Sequence, residues 1–187
     1  MATELSFGDE IANLMYATHG NPIKDCLQCG TCSGTCPAVE FMDHTPRHII
    51  GMIRADLKEE VLASNTYWSC ASCYHCTVRC PAGIDIADMM YALKRYSMWK
   101  KTYREGLIGP AFSESFVKMI VGSGRSYEPA LAPAYLFKYG PRGLIQEAQT
   151  ATSLMLKGRL PLLPKKIKGL ENFQRMVRRI IPIGEPS

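Results

Sequence analysis

An all-α fold is predicted by two features of the 187-residue sequence. The segments between its cysteine-rich stretches carry apolar residues at helical spacing behind capping residues, and short alternating stretches suited to β hairpins find little support. With 47% hydrophobic and 21% charged residues the chain can bury a core, which excludes wholesale disorder. The expected arrangement is a helical domain over residues 1–105 and a basic, mainly helical, proline-containing extension over residues 106–187.

Each helix has a local reason. Ser6 can cap a first helix with Asp9 at its third position; Phe7, Ile11, Leu14 and Met15 form its apolar face, and Gly20 marks the stop. Thr45-Pro46 is a cap followed by proline at the first helical position, and Ile49, Ile50, Met52 and Ile53 follow. Asp56 with Glu59 is expected to start a short helix through Val61 and Leu62, and Asp85 to cap one bearing Ile86, Met89, Met90 and Leu93. In the extension, Phe112, Phe116 and Ile120 share a face, a helix is expected after Pro141 through Leu156, and Leu170, Phe173, Met176, Val177, Ile180 and Ile181 define a last one.

All eight cysteines fall in two runs, Cys26, Cys29, Cys32, Cys36 and Cys70, Cys73, Cys76, Cys80. Each run reads C-x2-C-x2-C-x3-C-P, and the second repeats the first at a constant offset of 44 residues. A disulfide framework suits small exported chains, and the acidic N-terminus MATELSFGDE is unlike a signal peptide. A cytoplasmic protein with reduced thiols is expected, and no run of about 20 apolar residues suggests a membrane span. Zinc is a rival, but a tetrahedral ion needs two cysteine pairs converging on one atom. Three thiols at successive x2 spacings can instead reach three corners of a cubane [4Fe–4S] cluster, with the fourth ligand coming from elsewhere.

The runs resemble the two-cluster bacterial ferredoxin pattern, in which the fourth cysteine of each run serves the other cluster. That resemblance implies two [4Fe–4S] clusters, one held by Cys26, Cys29, Cys32 and Cys80, the other by Cys70, Cys73, Cys76 and Cys36. The two motifs separated by helices are similar to the helical ferredoxin domain of succinate dehydrogenase and related iron–sulfur subunits. More narrowly, CLQCGTCSGTCPA, TPRHIIGMI and YWSCASCYHCTVRCPAGIDI, continued by GSGRSYE and KGRLPLLPKKIKG, resemble the iron–sulfur C subunits of heterodisulfide reductases. In that family the C subunit passes electrons between a flavin-bearing A subunit and a B subunit with disulfide-active clusters. The long basic extension looks more like the sulfur-oxidation branch than the methanogenic one.

Around the clusters, Pro37 and Pro81 lack N–H groups and are expected to turn the chain and exclude water, while backbone N–H groups at Gln28, Gly30, Ser72 and Tyr74 are candidates for hydrogen bonds to cluster sulfur. Gly30 and Gly34 face the bulkier Tyr74 and Val78 at the equivalent positions, so the two clusters are expected to differ in exposure and potential. His75 is expected to be an exposed loop histidine, Tyr67 and Trp68 to pack as aromatics, and Met89, Met90 and Met98 to fill core or interface. No catalytic acid, base or nucleophile stands out.

Charge is divided along the chain. Residues 1–93 hold 5 Lys/Arg against 11 Asp/Glu, and residues 94–187 hold 17 against 6. Two oxidised clusters with their thiolates, each about −2, would bring the net charge from +5 to about +1. Lys165, Lys166, Lys168, Arg175, Arg178 and Arg179 therefore read as a protein-docking surface, ahead of peripheral membrane contact; nucleic acid is not an expected partner. The alternatives are an iron–sulfur subunit of another dehydrogenase and a zinc-stabilised nucleic-acid-binding module.

Overall fold

In a computed structural model, residues 5–16, 20–127, 148, 152–159 and 165–180 are described. The described residues are helical and contain no strand, and none of their helices is long and apolar enough to cross a membrane. The chain forms two compact units, residues 1–107 and 108–187.

The first unit begins with α1 (Phe7–Asn13), whose Ser6 hydroxyl accepts from the Asp9 amide at 3.3 Å and donates to the Asp9 carboxylate at 2.6 Å. That carboxylate also accepts from Asn21 and Lys24, at 2.9 and 2.8 Å, and these donors hold it well below the usual carboxylate range, Lys24 foremost. The helix ends at Asn13, well short of Gly20. A 3-10 turn (Pro22–Asp25) leads into the first cysteine run, which contains the single turn α2 (Thr31–Gly34). Next come α3 (Pro46–Arg54), capped by Thr45, and α4 (Lys58–Ala63). The second run contains α5 (His75–Val78), and α6 (Ile86–Lys100) closes the unit with Asp85 as its cap.

One capping expectation changes hands. Asp56 does not cap α4, whose N-cap is Leu57 without a side-chain bond. Asp56 sits in the left-handed region, at φ 60°, and its carboxylate accepts from the Phe7 amide at 2.7 Å. It thus satisfies an orphan donor of α1 from 49 residues away.

The core is one contiguous cluster that includes Ile11 of α1, Ile49 and Ile53 of α3, Val61 of α4, Tyr67, and Met89 and Leu93 of α6. Two polar devices position what surrounds it. Thr66, fully buried, accepts from the His44 amide at 2.9 Å and donates to the His44 carbonyl at 2.8 Å; nearby Asn65 donates to Asp43 and Ser69 to the Phe41 carbonyl. These side chains fasten the segment leaving the first cysteine run to the one entering the second, without a strand. Asp88, buried on α6, accepts from the Tyr16 amide at 2.6 Å and pairs with Arg95, which also donates to the Leu14 carbonyl and lies over the Tyr16 ring. Asp88→Ala removes the acceptor of the Tyr16 amide and the carboxylate that pairs with Arg95, which keeps only the Leu14 carbonyl. It is expected to lower unfolding free energy by about 2–4 kcal/mol in a denaturant titration, with Asp88→Asn recovering part of the loss.

In the second unit, α7 (Ile108–Ser123) carries Phe112 stacked on Phe116, with centroids 6.0 Å apart. It packs against α8 (Leu170–Ile180), where Gln174 donates to the Val121 carbonyl at 2.9 Å. Residues 152–156 are helical, whereas most of the helix expected after Pro141 lies outside the described residues, as does Ile181. Two segments distant in sequence meet here: the Ile167 amide donates to the Ser123 carbonyl at 3.0 Å, and its side chain covers Gly124. A Cβ on Gly124 would lie 2.3 Å from Ile167 carbons, and φ is +77°, so both space and backbone demand glycine. Gly124→Ala is expected to loosen α8 from α7, by about 2 kcal/mol, seen as faster amide exchange over residues 167–180.

Candidate metal centre

The two cysteine runs adopt one backbone conformation twice. Gln28 and Gly30 lie at φ 55° and 82°; their counterparts 44 residues on, Ser72 and Tyr74, lie at 54° and 61°. Left-handed residues on either side of the second cysteine reverse the chain, and such alternation lines concavities with backbone N–H groups, the setting that anionic clusters occupy. These are the four positions named from sequence as donors. The third cysteine then begins or lies within a single helical turn, α2 or α5, and the fourth falls beyond its end, at Cys36 or Cys80. The left-handed conformation costs a non-glycine residue about 1–2 kcal/mol. Gly30→Ala is accordingly expected to destabilise the protein by about that amount and Tyr74→Gly to relieve strain, in matched denaturation curves.

Packing repeats as well. The hydroxyl following the third cysteine accepts the amide of the second residue of the next helix: Ser33 from Arg47 of α3 at 3.0 Å, and Thr77 from Ala87 of α6 at 3.1 Å. A cation from each of those helices clasps the carbonyl of the first cysteine: Arg54 that of Cys26 at 2.7 Å, and Lys94 that of Cys70 at 3.3 Å. The two short helices pack against each other.

This arrangement forms two partly open cavities. One is walled by Cys26, Cys29, Cys32 and, from the other run, Cys80. The second is walled by Cys70, Cys73, Cys76 and, from the first run, Cys36. Ile86, 2% exposed, contributes to both walls. Pro81 lies in the first wall and Pro37 in the second, each beside the crossing cysteine.

All eight cysteines are free thiols, so no disulfide competes for them. Burial pushes the Cys32, Cys36 and Cys76 thiols up, and the neighbouring thiols Cys70 and Cys73 add to the effect at Cys36. The Thr31 hydroxyl, 3.4 Å from the Cys29 sulfur, draws that thiol down. Four soft donors ring each cavity without converging on one point: among the described residues no three His, Cys, Asp or Glu side chains could hold a single ion. A polynuclear cluster, whose iron corners are spread apart, fits this donor set better than one tetrahedral ion.

Of His75, Tyr67, Trp68, Met89, Met90 and Met98, singled out beside the runs, Met90 alone lines a wall of either cavity. His75 is exposed at the start of α5. Tyr67 is fully buried with its hydroxyl donating to the Leu62 carbonyl at 2.9 Å, and Trp68 packs between Tyr67 and Tyr103. Met89 is core, while Met90 reaches the second cavity. Sequence reasoning missed several wall residues, Arg47, Ile86, Ala87 and Met42 among them, and the Gln28 side-chain amide, which donates to the Cys26 sulfur at 3.6 Å.

Residues 22–84 match the 4Fe-4S dicluster domain family. Over 81 residues the chain is 36% identical to the C subunit of the H(2):CoB-CoM heterodisulfide,ferredoxin reductase of Methanothermobacter marburgensis, covering 43% of this chain and 44% of that one. It is 37% identical over 81 residues to the iron-sulfur C subunit of the CoB--CoM heterodisulfide reductase of Methanopyrus kandleri, covering 43% and 42%. With the C subunit of the Ferredoxin:CoB-CoM heterodisulfide reductase of Methanosarcina mazei the figures are 35% over 92 residues, 49% and 56%. The chain thus spans about half the length of the curated relatives it matches. Over somewhat less than half its length the chain is thus similar to iron–sulfur C subunits of heterodisulfide reductases.

Proposed function

We propose that the chain is a non-catalytic electron relay: two [4Fe–4S] clusters, one on Cys26, Cys29, Cys32 and Cys80, the other on Cys70, Cys73, Cys76 and Cys36. The observation that carries this reading is that each cavity is walled by three thiols of one run and the fourth of the other. Bound there, each cluster would supply storage of one electron at a time. The protein's part is to share Ile86 between the two walls, to offer four thiols to each site, and to leave no open ligand position for a substrate. The second cysteine of each run, Cys29 and Cys73, is exposed, so each site has its own edge toward solvent. Leu27, 69% exposed, flanks the first edge, and Tyr74, 45% exposed, flanks the second. Those edges suit two docking partners, and kinship with heterodisulfide reductase C subunits makes them a flavin-bearing A-type subunit and a disulfide-active B-type subunit. The basic face of residues 165–179 serves assembly with acidic protein surface rather than electron passage.

Anaerobic purification followed by iron and acid-labile sulfide determination tests the reading. About eight irons per chain, with EPR spectra of two interacting reduced clusters, are expected. Stoichiometric zinc without labile sulfide would overturn it in favour of a zinc-stapled module.

A further inference from the structure

The repeat that builds the two cavities is broken in charge at one equivalent pair of positions. The second residue of α3, whose amide meets Ser33, is Arg47; the second residue of α6, whose amide meets Thr77, is Ala87. Arg47 lines the first cavity, its Cδ and Nε 3.6 and 4.0 Å from where a Gly30 Cβ would stand, and among the described residues no carboxylate pairs with it. Ala87 lines the second, with Met42 and Met90. The helix caps differ in the same sense: neutral Thr45 on α3, and Asp85 on α6, whose carboxylate accepts from Thr77 at 3.0 Å. Side-chain donors are more numerous at the first site, where Gln28 and Thr31 reach the sulfurs of Cys26 and Cys29, than at the second, where Thr77 acts on Cys76.

Two further pairs of charges balance. Arg54 and Lys94 hold equivalent carbonyls, one per site. Asp25 and Arg79, each next in sequence to a thiol of the first cavity, offset each other.

From this asymmetry we infer that Arg47 sets the order of the relay: the site of Cys26, Cys29, Cys32 and Cys80 has the higher reduction potential, and electrons come to rest there rather than at the site of Cys36, Cys70, Cys73 and Cys76. A reduced cluster carries one more negative charge than an oxidised one, so a nearby cation and hydrogen-bond donors favour reduction, while an anion and apolar walls oppose it. The inference rests on the two-cluster reading and adds a direction to it.

The test is a mediated titration of the holoprotein with dithionite, each cluster taking one electron, followed by EPR. In the unaltered chain two steps are expected. Arg47→Lys should leave both nearly in place, Arg47→Gln should lower the upper step alone, and Arg47→Glu should lower it further. The Gln shift should reach up to about tenfold in the reduction equilibrium, ~59 mV for one electron. Because Arg47 is exposed, the shift should shrink as ionic strength rises from about 0.01 to 1 M. Asp85→Asn, which keeps a capping oxygen, should raise the lower step. A purely structural role would not follow the charge series; iron content and circular dichroism of each variant check that both sites are filled. The inference is overturned if the lower step moves with Arg47, if both move together, or if neither moves. Absence of about eight irons in the unaltered chain overturns the two-cluster reading itself, and is read before any titration.

Discussion

Replacing Cys26 and Cys80 together by alanine is expected to leave about four irons per chain and one intact cluster with the EPR signal of an isolated [4Fe–4S] centre, free of the splitting from its neighbour. Replacing Cys26 and Cys36 is expected to leave no undisturbed cluster. The two double variants remove the same number of thiols, so only their distribution between sites differs. The distribution follows from chain geometry. In each run the third cysteine is held on a single helical turn and the fourth lies past the end of that turn, ahead of a proline that cannot continue it. Since α2 and α5 pack against each other, the fourth thiol is delivered across that contact into the opposite wall. Cys36 accordingly feels charge on Cys70 and Cys73. If each run instead served its own cluster, the outcomes would exchange: Cys26 with Cys36 would spare one signal and Cys26 with Cys80 would spare none. That result would sink crossed ligation while leaving two clusters intact.

Much of this architecture could be read from residues whose effects are local. Ser6, Thr45 and Asp85 cap helices because a side-chain oxygen satisfies an amide two or three positions on, and nothing distant intervenes. The repeat of the two runs likewise announces a repeated backbone path, down to left-handed residues at 28, 30, 72 and 74. Asp56 shows where such reading stops. It has the composition of a cap for α4, yet tertiary packing places its carboxylate on α1, a partner that no window of neighbouring residues contains. Arg47 stayed hidden for a related reason: as the second residue of a capped helix it looks like any solvated cation. Its meaning appears only when α3 and α6 are superposed on the repeat and alanine is found opposite it. The meeting of Gly124 with Ile167 could not be read either, because a long stretch of chain separates a turn glycine from the side chain that forbids a Cβ there.

Stripping iron from the holoprotein, anaerobically and with a chelator, is expected to unfold the first unit and not merely to empty it. Without metal the cysteine-bearing loops keep only a few hydrogen bonds to α3 and α6. Helices α2 and α5 are four residues each, and a single turn does not survive its own nucleation cost in isolation. Three of the four left-handed positions, Gln28, Ser72 and Tyr74, are not glycine, which stores about 3–6 kcal/mol in the loops. Nor is the damage confined to the surface: Cys32 belongs to the buried core, and Cys26, Cys70, Cys76 and Cys80 pack against it, so loss of the loops opens the cluster of Ile49, Ile86 and Leu93 to water. Structural metal sites contribute on the order of 10 kcal/mol to folding, as much as a whole domain's typical margin of about 5–15 kcal/mol. Hydrogen exchange should therefore show protection lost together over residues 22–84 and along α6, with loss of the cooperative unfolding transition for residues 1–107. Retention of slow amides at Ile53 and Leu93 in iron-free protein would mean that the isoleucine-rich core folds by itself and that the clusters are guests of a finished scaffold.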